Sequence, residues 1–120
     1  MNAATNDQGR LTTHVLDTAN GTPAAGMKID LYKVDNGAKS HILSIETNDD
    51  GRADSPLMEG DSFQEGVYEL VFQVGQYFSR GEDISFLDEV PIRFGINNAD
   101  EHYHVPLLVS PFSFSTYRGS

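Results

Sequence analysis

The chain has 120 residues, enough for one domain that buries roughly two thirds of the surface its unfolded form would expose. It contains no cysteine, which excludes disulfides, thiolate metal sites and cysteine nucleophiles. Eight Lys and Arg against eighteen Asp and Glu give a formal net charge of -10, which repels nucleic acid and anionic membrane and argues against a phosphate-tracking role.

Residues 1–9 lack the basic start and apolar run of a secretory signal, and no window approaches the ~18 apolar residues of a membrane helix. The expectation is a flexible polar tail over 1–9 and one domain over 10–120, in a cytoplasmic protein with neither nucleic-acid nor membrane partners. From residue 10 onward, short segments of alternating apolar and polar residues are separated by Gly, Asn, Asp and Pro clusters. That pattern belongs to an antiparallel all-β sandwich or barrel. Predicted strands cover 10–18, 27–34, 41–48, 67–74, 90–96, 102–110 and 112–117, with a very short one near 53–55. Asn20-Gly21, Asn36-Gly37 and Asp50-Gly51 supply the positive-φ residues for the turns between them. Residues 75–80 read as one short helical turn.

Alternation also assigns faces, because successive strand residues point to opposite sides. Tyr103, Val105, Leu107 and Val109 make one apolar row that should face the core, so His102, His104, Pro106 and Leu108 face away. Likewise, if Leu11, Thr13 and Val15 face inward, His14 and Leu16 face outward. An outward face carrying leucines and proline beside histidines is too apolar for free solvent, and self-association across it is expected.

His14 and His104 therefore stand mid-strand on a presumed interface, where a group with an ordinary pKa of about 6.5 can exchange protons near neutrality. Taken singly, a histidine so placed is more often a hydrogen-bonded structural residue than a catalyst. Arg52 follows the turn Asn48-Asp49-Asp50-Gly51 and could reach over a sheet edge to a carboxylate, an imide or a developing oxyanion. The competing reading is a solvated arginine paired with Asp54 or Glu46. His102 and His104, two apart, could share a metal ion, but two ligands fall short of what zinc requires. Residues 46–51 imitate the start of a calcium loop, yet Leu57 occupies the position that needs glutamate. The chain has no nucleotide loop, Gly-x-Ser-x-Gly elbow or His-Glu-x-x-His pair.

Three segments carry a resemblance. His102-Tyr103-His104-Val105-Pro106-Leu107-Leu108-Val109-Ser110-Pro111, followed by Ser115-Thr116-Tyr117-Arg118-Gly119-Ser120, resembles the C-terminal signature of the 5-hydroxyisourate hydrolases of the transthyretin-like family. Leu11-Thr12-Thr13-His14-Val15-Leu16-Asp17-Thr18 with Gly21, Pro23, Ala24 and Gly26 resembles the family's N-terminal motif, and Asp50-Gly51-Arg52 its central one. The likeness implies a transthyretin-like (prealbumin-like) β-sandwich of two four-stranded sheets with one short helix, assembled as a homotetramer. It implies His14, Arg52 and His104 as catalytic residues and Tyr117, Arg118, Gly119 and Ser120 as substrate-binding ones. The reaction implied is hydrolytic opening of 5-hydroxyisourate to 2-oxo-4-hydroxy-4-carboxy-5-ureidoimidazoline in urate degradation, with no metal or organic cofactor. The same fold also implies an alternative, a carrier that binds a small aromatic ligand in the tetramer channel.

Overall fold

The structure, a computed structural model, describes residues 9–79 and 82–119. Arg80 of the predicted helical turn, Ser120 of the C-terminal motif and the segment 1–8 lie outside the described residues. Strands follow the alternation closely: β1 (Arg10–Asp17), β2 (Thr22–Pro23), β3 (Lys28–Asp35), β4 (Ala38–Glu46), β5 (Met58–Glu59), β6 (Gly66–Gln73), β7 (Glu89–Ile96), β8 (His102–Val109) and β9 (Phe114–Thr116). One short helix, α1 (Val74–Ser79), follows β6 directly. No helix among the described residues is long and apolar enough to cross a membrane.

Two sheets pack face to face. One runs β4-β3-β6-β7, antiparallel throughout. The other runs β2-β1-β8-β9, with β5 also paired to β1. This second sheet corrects two expectations. It has five strands rather than four, because two dipeptide strands, β2 and β5, dock at opposite ends of one edge of β1. It is also not wholly antiparallel: β1 and β8 pair in parallel over their whole length, from Arg10 beside His102 to Asp17 beside Val109. Parallel neighbours need a long crossover instead of a hairpin, and most of the chain lies between these two strands. The short strand expected near 53–55 reduces to a single bridge between Arg52 and His14, with β5 forming further on.

The alternation works as read. Leu11, Val15, Leu107 and Val109 from one sheet meet Ile29, Leu31, Leu70 and Phe72 from the other, all essentially inaccessible to solvent. Each contributes roughly 1.5–3 kcal/mol by leaving water. Tyr103 closes one end of this layer, its hydroxyl accepting hydrogen bonds from the backbone N–H groups of Asn97 and Asn98 at 3.0 and 3.2 Å. The other end is tied by Asp17, a fully buried carboxylate that accepts from Asn20 N (3.0 Å), Asn20 Nδ2 (2.8 Å) and Tyr77 Oη (2.9 Å). Burial pushes its pKa up, but the hydrogen bonds from Asn20, Tyr77 and Ala19 outweigh that and hold the carboxyl below its ordinary value. Asp17 thereby anchors α1 to the end of β1.

Between β2 and β5, the free edge of β1 receives the turn 48–52. Gly51 O accepts from Val15 N at 2.9 Å, and Gly51 itself has φ +74. A Cβ there would lie 2.5 Å from Val15 O, so both conformation and space require glycine. Gly51→Ala is expected to destabilise the fold by about 1–3 kcal/mol, read as a lower urea midpoint with an unchanged slope.

Candidate active site

The outer face of the five-stranded sheet is built from the residues of β1 and β8 that alternate with the core rows. Register places Arg10 beside His102, Thr12 beside His104 and His14 beside Pro106. His14 Nδ1 lies 2.6 Å from His104 Nε2, with ring centroids 4.8 Å apart. The other nitrogen of His104, Nδ1, lies 2.7 Å from Thr12 Oγ1, and that hydroxyl lies 2.6 Å from His102 Nε2. Four side chains thus form one line of hydrogen bonds across the two strands. Sequence alone left His14 and His104 unconnected, and the parallel register brings them together.

Arg52 arrives from the edge. Asn48 shapes its turn: the side-chain Oδ1 accepts from the backbone N–H groups of Asp50 (2.9 Å) and Arg52 (3.1 Å), while Asn48 N donates to Arg52 O at 2.8 Å. Such side-chain capping of a turn is what asparagine does well. The Arg52 side chain is exposed beside His14, and among the described residues no carboxylate pairs with it. Asp54, one partner considered from the sequence, instead accepts from Asn48 Nδ2 at 3.0 Å.

The C-terminal segment closes the other side. Gly119 N donates to His104 O at 2.7 Å, and a Cβ on Gly119 would meet the His104 ring at 2.9 Å. Arg118 turns back onto the scaffold, with its guanidinium 3.9 Å from the Tyr103 ring centre and Nη2 donating to Glu101 Oε1 at 2.8 Å. Tyr117 is more than half exposed at the rim. Together Arg10, Thr12, His14, Arg52, His102, His104, Tyr117, Arg118 and Gly119 line an open cavity of about 620 Å³. Three of the chain's five arginines line it and, among the described residues, no carboxylate does, although the net charge is -10. Such a cavity suits an oxygen-rich, anionic or strongly polar ring. Arg10 and Thr12 went unmarked in the sequence reading, although the alternation that exposed His14 puts both on its face.

The three histidines of the cavity are all shifted toward the neutral form. Burial lowers the His14 pKa below its ordinary value, and the Arg52 charge lowers it further. Burial also dominates for His104, which the charges of His14, Arg52 and His102 help bring down to about 4. For His102, burial acts first and the Arg10 and Arg118 charges second. Neutral imidazoles can accept a proton, and a guanidinium beside them can steady a developing oxyanion. Among the described residues, no three His, Asp or Glu side chains are grouped to hold a metal ion.

An all-β sandwich with a histidine and arginine cavity on one outer face is the class that the fold and site define. The HIUase/Transthyretin family model matches residues 11–119, and the chain belongs to that family. It is 61% identical to 5-hydroxyisourate hydrolase 2 of Rhizobium meliloti over 116 residues, covering 93% of this chain and 97% of that protein. Among solved structures, (S)-allantoin synthase superposes with a TM-score of 0.86 at 50% identity, covering 94% of this chain but only 44% of that one. Sea bream transthyretin in complex with thyroxine gives 0.83 at 26% identity, covering 92% of this chain and 94% of that one.

The lowered histidine pKa values have a consequence for stability. As pH falls below the ordinary 6.5, the unfolded chain binds protons at these positions before the folded chain does, so stability declines with falling pH. The loss belongs to the window between 6.5 and the folded value of about 4 for His104. Urea unfolding at pH 7 and pH 5 is expected to show this drop, and His104→Gln to make it smaller.

Proposed function

We propose that this chain is a 5-hydroxyisourate hydrolase, opening its substrate's ring to 2-oxo-4-hydroxy-4-carboxy-5-ureidoimidazoline in urate degradation, with Tyr117–Ser120 as the substrate-holding tail. The observation that carries the reading is the direct hydrogen bond between His14 and His104 beside Arg52, in a cavity where no carboxylate stands among the described lining residues. The relative from Rhizobium meliloti, which this chain matches over nearly its full length, bears the hydrolase name. One domain over 10–120 carries the activity, with 1–9 as a leading segment.

The reaction adds water across a cyclic amide. His14 is the better base, because both ring nitrogens of His104 are hydrogen-bonded whereas His14 Nε2 has no hydrogen-bond partner among the described residues. His14 Nε2 takes a proton from water as the oxygen attacks the ring carbonyl. Arg52 stabilises the tetrahedral oxyanion with a planar fork that lysine lacks. The C–N bond then breaks, the former carbonyl carbon leaves as a carboxylate, and the His14–His104 pair returns the proton to the departing nitrogen. Tyr117 at the rim and Arg10 within the cavity orient the ring, and Arg118 braces the tail through Glu101 and Tyr103.

A homotetramer completes the proposal. Leu16 and Leu108 remain partly exposed on the site's own face, and Phe112 and Phe114 are exposed near the sheet edge, where apolar surface calls for a partner. The mass in solution is expected near four times 13.2 kDa by light scattering. A carrier of the transthyretin kind would use the same fold without chemistry.

Ultraviolet decay of freshly generated 5-hydroxyisourate separates the two readings. The protein is expected to accelerate the decay, with His104→Asn slowing turnover by about 10²–10⁴-fold while remaining folded. Arg52→Lys is expected to lose activity despite keeping the charge. Saturable binding of an aromatic ligand without any turnover by the folded wild-type protein would establish the carrier instead.

A further inference from the structure

Thr12 has one hydroxyl proton but two imidazole neighbours, His102 Nε2 at 2.6 Å and His104 Nδ1 at 2.7 Å. It can donate to only one of them, and the other must donate to it. The next contact, His104 Nε2 to His14 Nδ1 at 2.6 Å, also holds one proton. A neutral imidazole carries a single N–H, so choosing the direction at Thr12 chooses it along the whole line. If Thr12 donates to His102, then His104 donates from Nδ1, His14 donates from Nδ1, and His14 Nε2 is left with a free lone pair. If Thr12 donates to His104, every tautomer reverses and His14 Nε2 carries a hydrogen.

We propose that Thr12 and His102 are positioning residues that fix the tautomers of His104 and His14, so that His14 Nε2 presents its lone pair to water. The assignment rests on the hydrolase reading for its catalytic meaning and on geometry for its existence. Thr12 suits the task because a β-branched side chain on a strand has few χ1 choices, which keeps Oγ1 between the two rings. His102 terminates the line, its Nδ1 having no hydrogen-bond partner among the described residues. The groups around the line are cationic: Arg10 and Arg118 beside His102, and Arg52 beside His14 and His104. A second positive charge on His102 is therefore disfavoured. The line acts as a clamp on tautomers, not as a wire that drains a proton toward His102.

Thr12→Val keeps the shape and the β-branch but removes the hydroxyl, and Thr12→Ser restores it. Long-range ¹H–¹⁵N correlation spectra of the full-length protein at neutral pH report which ring nitrogen of each histidine is protonated. Wild type is expected to show His14 and His104 each protonated at Nδ1, Thr12→Val a mixture of tautomers at both, and Thr12→Ser the wild-type pattern. His102→Asn gives the same readout from the other end of the line, should the valine variant fold poorly. In turnover of 5-hydroxyisourate, Thr12→Val is expected to lower kcat about tenfold with little change in KM, and Thr12→Ser to retain the rate. Wild-type tautomers in both Thr12→Val and His102→Asn would overturn the proposal, as would a loss expressed in KM alone. Absence of turnover by wild type would instead remove the hydrolase reading, while the spectra would still decide whether Thr12 sets the tautomers.

Discussion

Because β1 runs parallel to β8 with Leu11 beside Tyr103 and Thr12 beside His104, one set of backbone hydrogen bonds fixes core and site together. The inward rows fill the layer between the sheets, and the outward rows place the histidines within hydrogen-bonding distance of one another. A slip of one residue in this pairing would expose the leucines and valines and bury the histidines unpaired. The hydrophobic cost of exposing Leu11, Val15, Leu107 and Val109 therefore also defends the geometry of the site. Arg52 depends on the same strand, since its turn is hung on Val15 and bridges to His14.

The two outer faces of the sandwich handle charge in opposite ways. On the four-stranded sheet, Glu69 is buried between Lys39 at 2.9 Å and Arg93 at 3.0 Å, a carboxylate enclosed by two cations. On the five-stranded sheet, cations gather around neutral imidazoles, and the nearby acid, Glu101, is committed to Arg118. On the first face each cation of the group has the Glu69 carboxylate as its partner. Among its described cavity residues the second holds an excess of positive charge on a strongly acidic protein, which draws a negatively polarised molecule out of solvent.

Strand alternation made much of this legible. The inward set of β8 and the outward placement of His14 and His104 follow from residue types at odd and even positions, and the structure agrees. The parallel pairing was not legible, because a period of two is the same for either strand direction. Nor were the dipeptide strands β2 and β5, too short for any period to show. Thr12 escaped for a different reason: a threonine in a strand is ordinary, and only the partner strand's register reveals two histidines on its hydroxyl. Gly119 was marked by motif likeness alone, and the reason for a glycine there emerges only from its contact with the His104 ring. The grouping of His14, Arg52, His104 and the tail around one cavity was reached from motif likeness, and spacing along the chain could not have supplied it.

The two-residue rhythm of β1 also divides the strand by the kind of change it can absorb. Leu11, Thr13, Val15 and Asp17 sit in a packed interior, where replacements succeed when they conserve volume and hydrogen bonds. Arg10, Thr12 and His14 face the cavity, where size matters less than the number and direction of protons each group can give or take. Neighbouring codons along eight residues thus answer to different filters, so lineages can repack the interior without retuning the chemistry. Gly51 is the exception, for there the shape of the backbone and the placement of a functional charge are a single requirement.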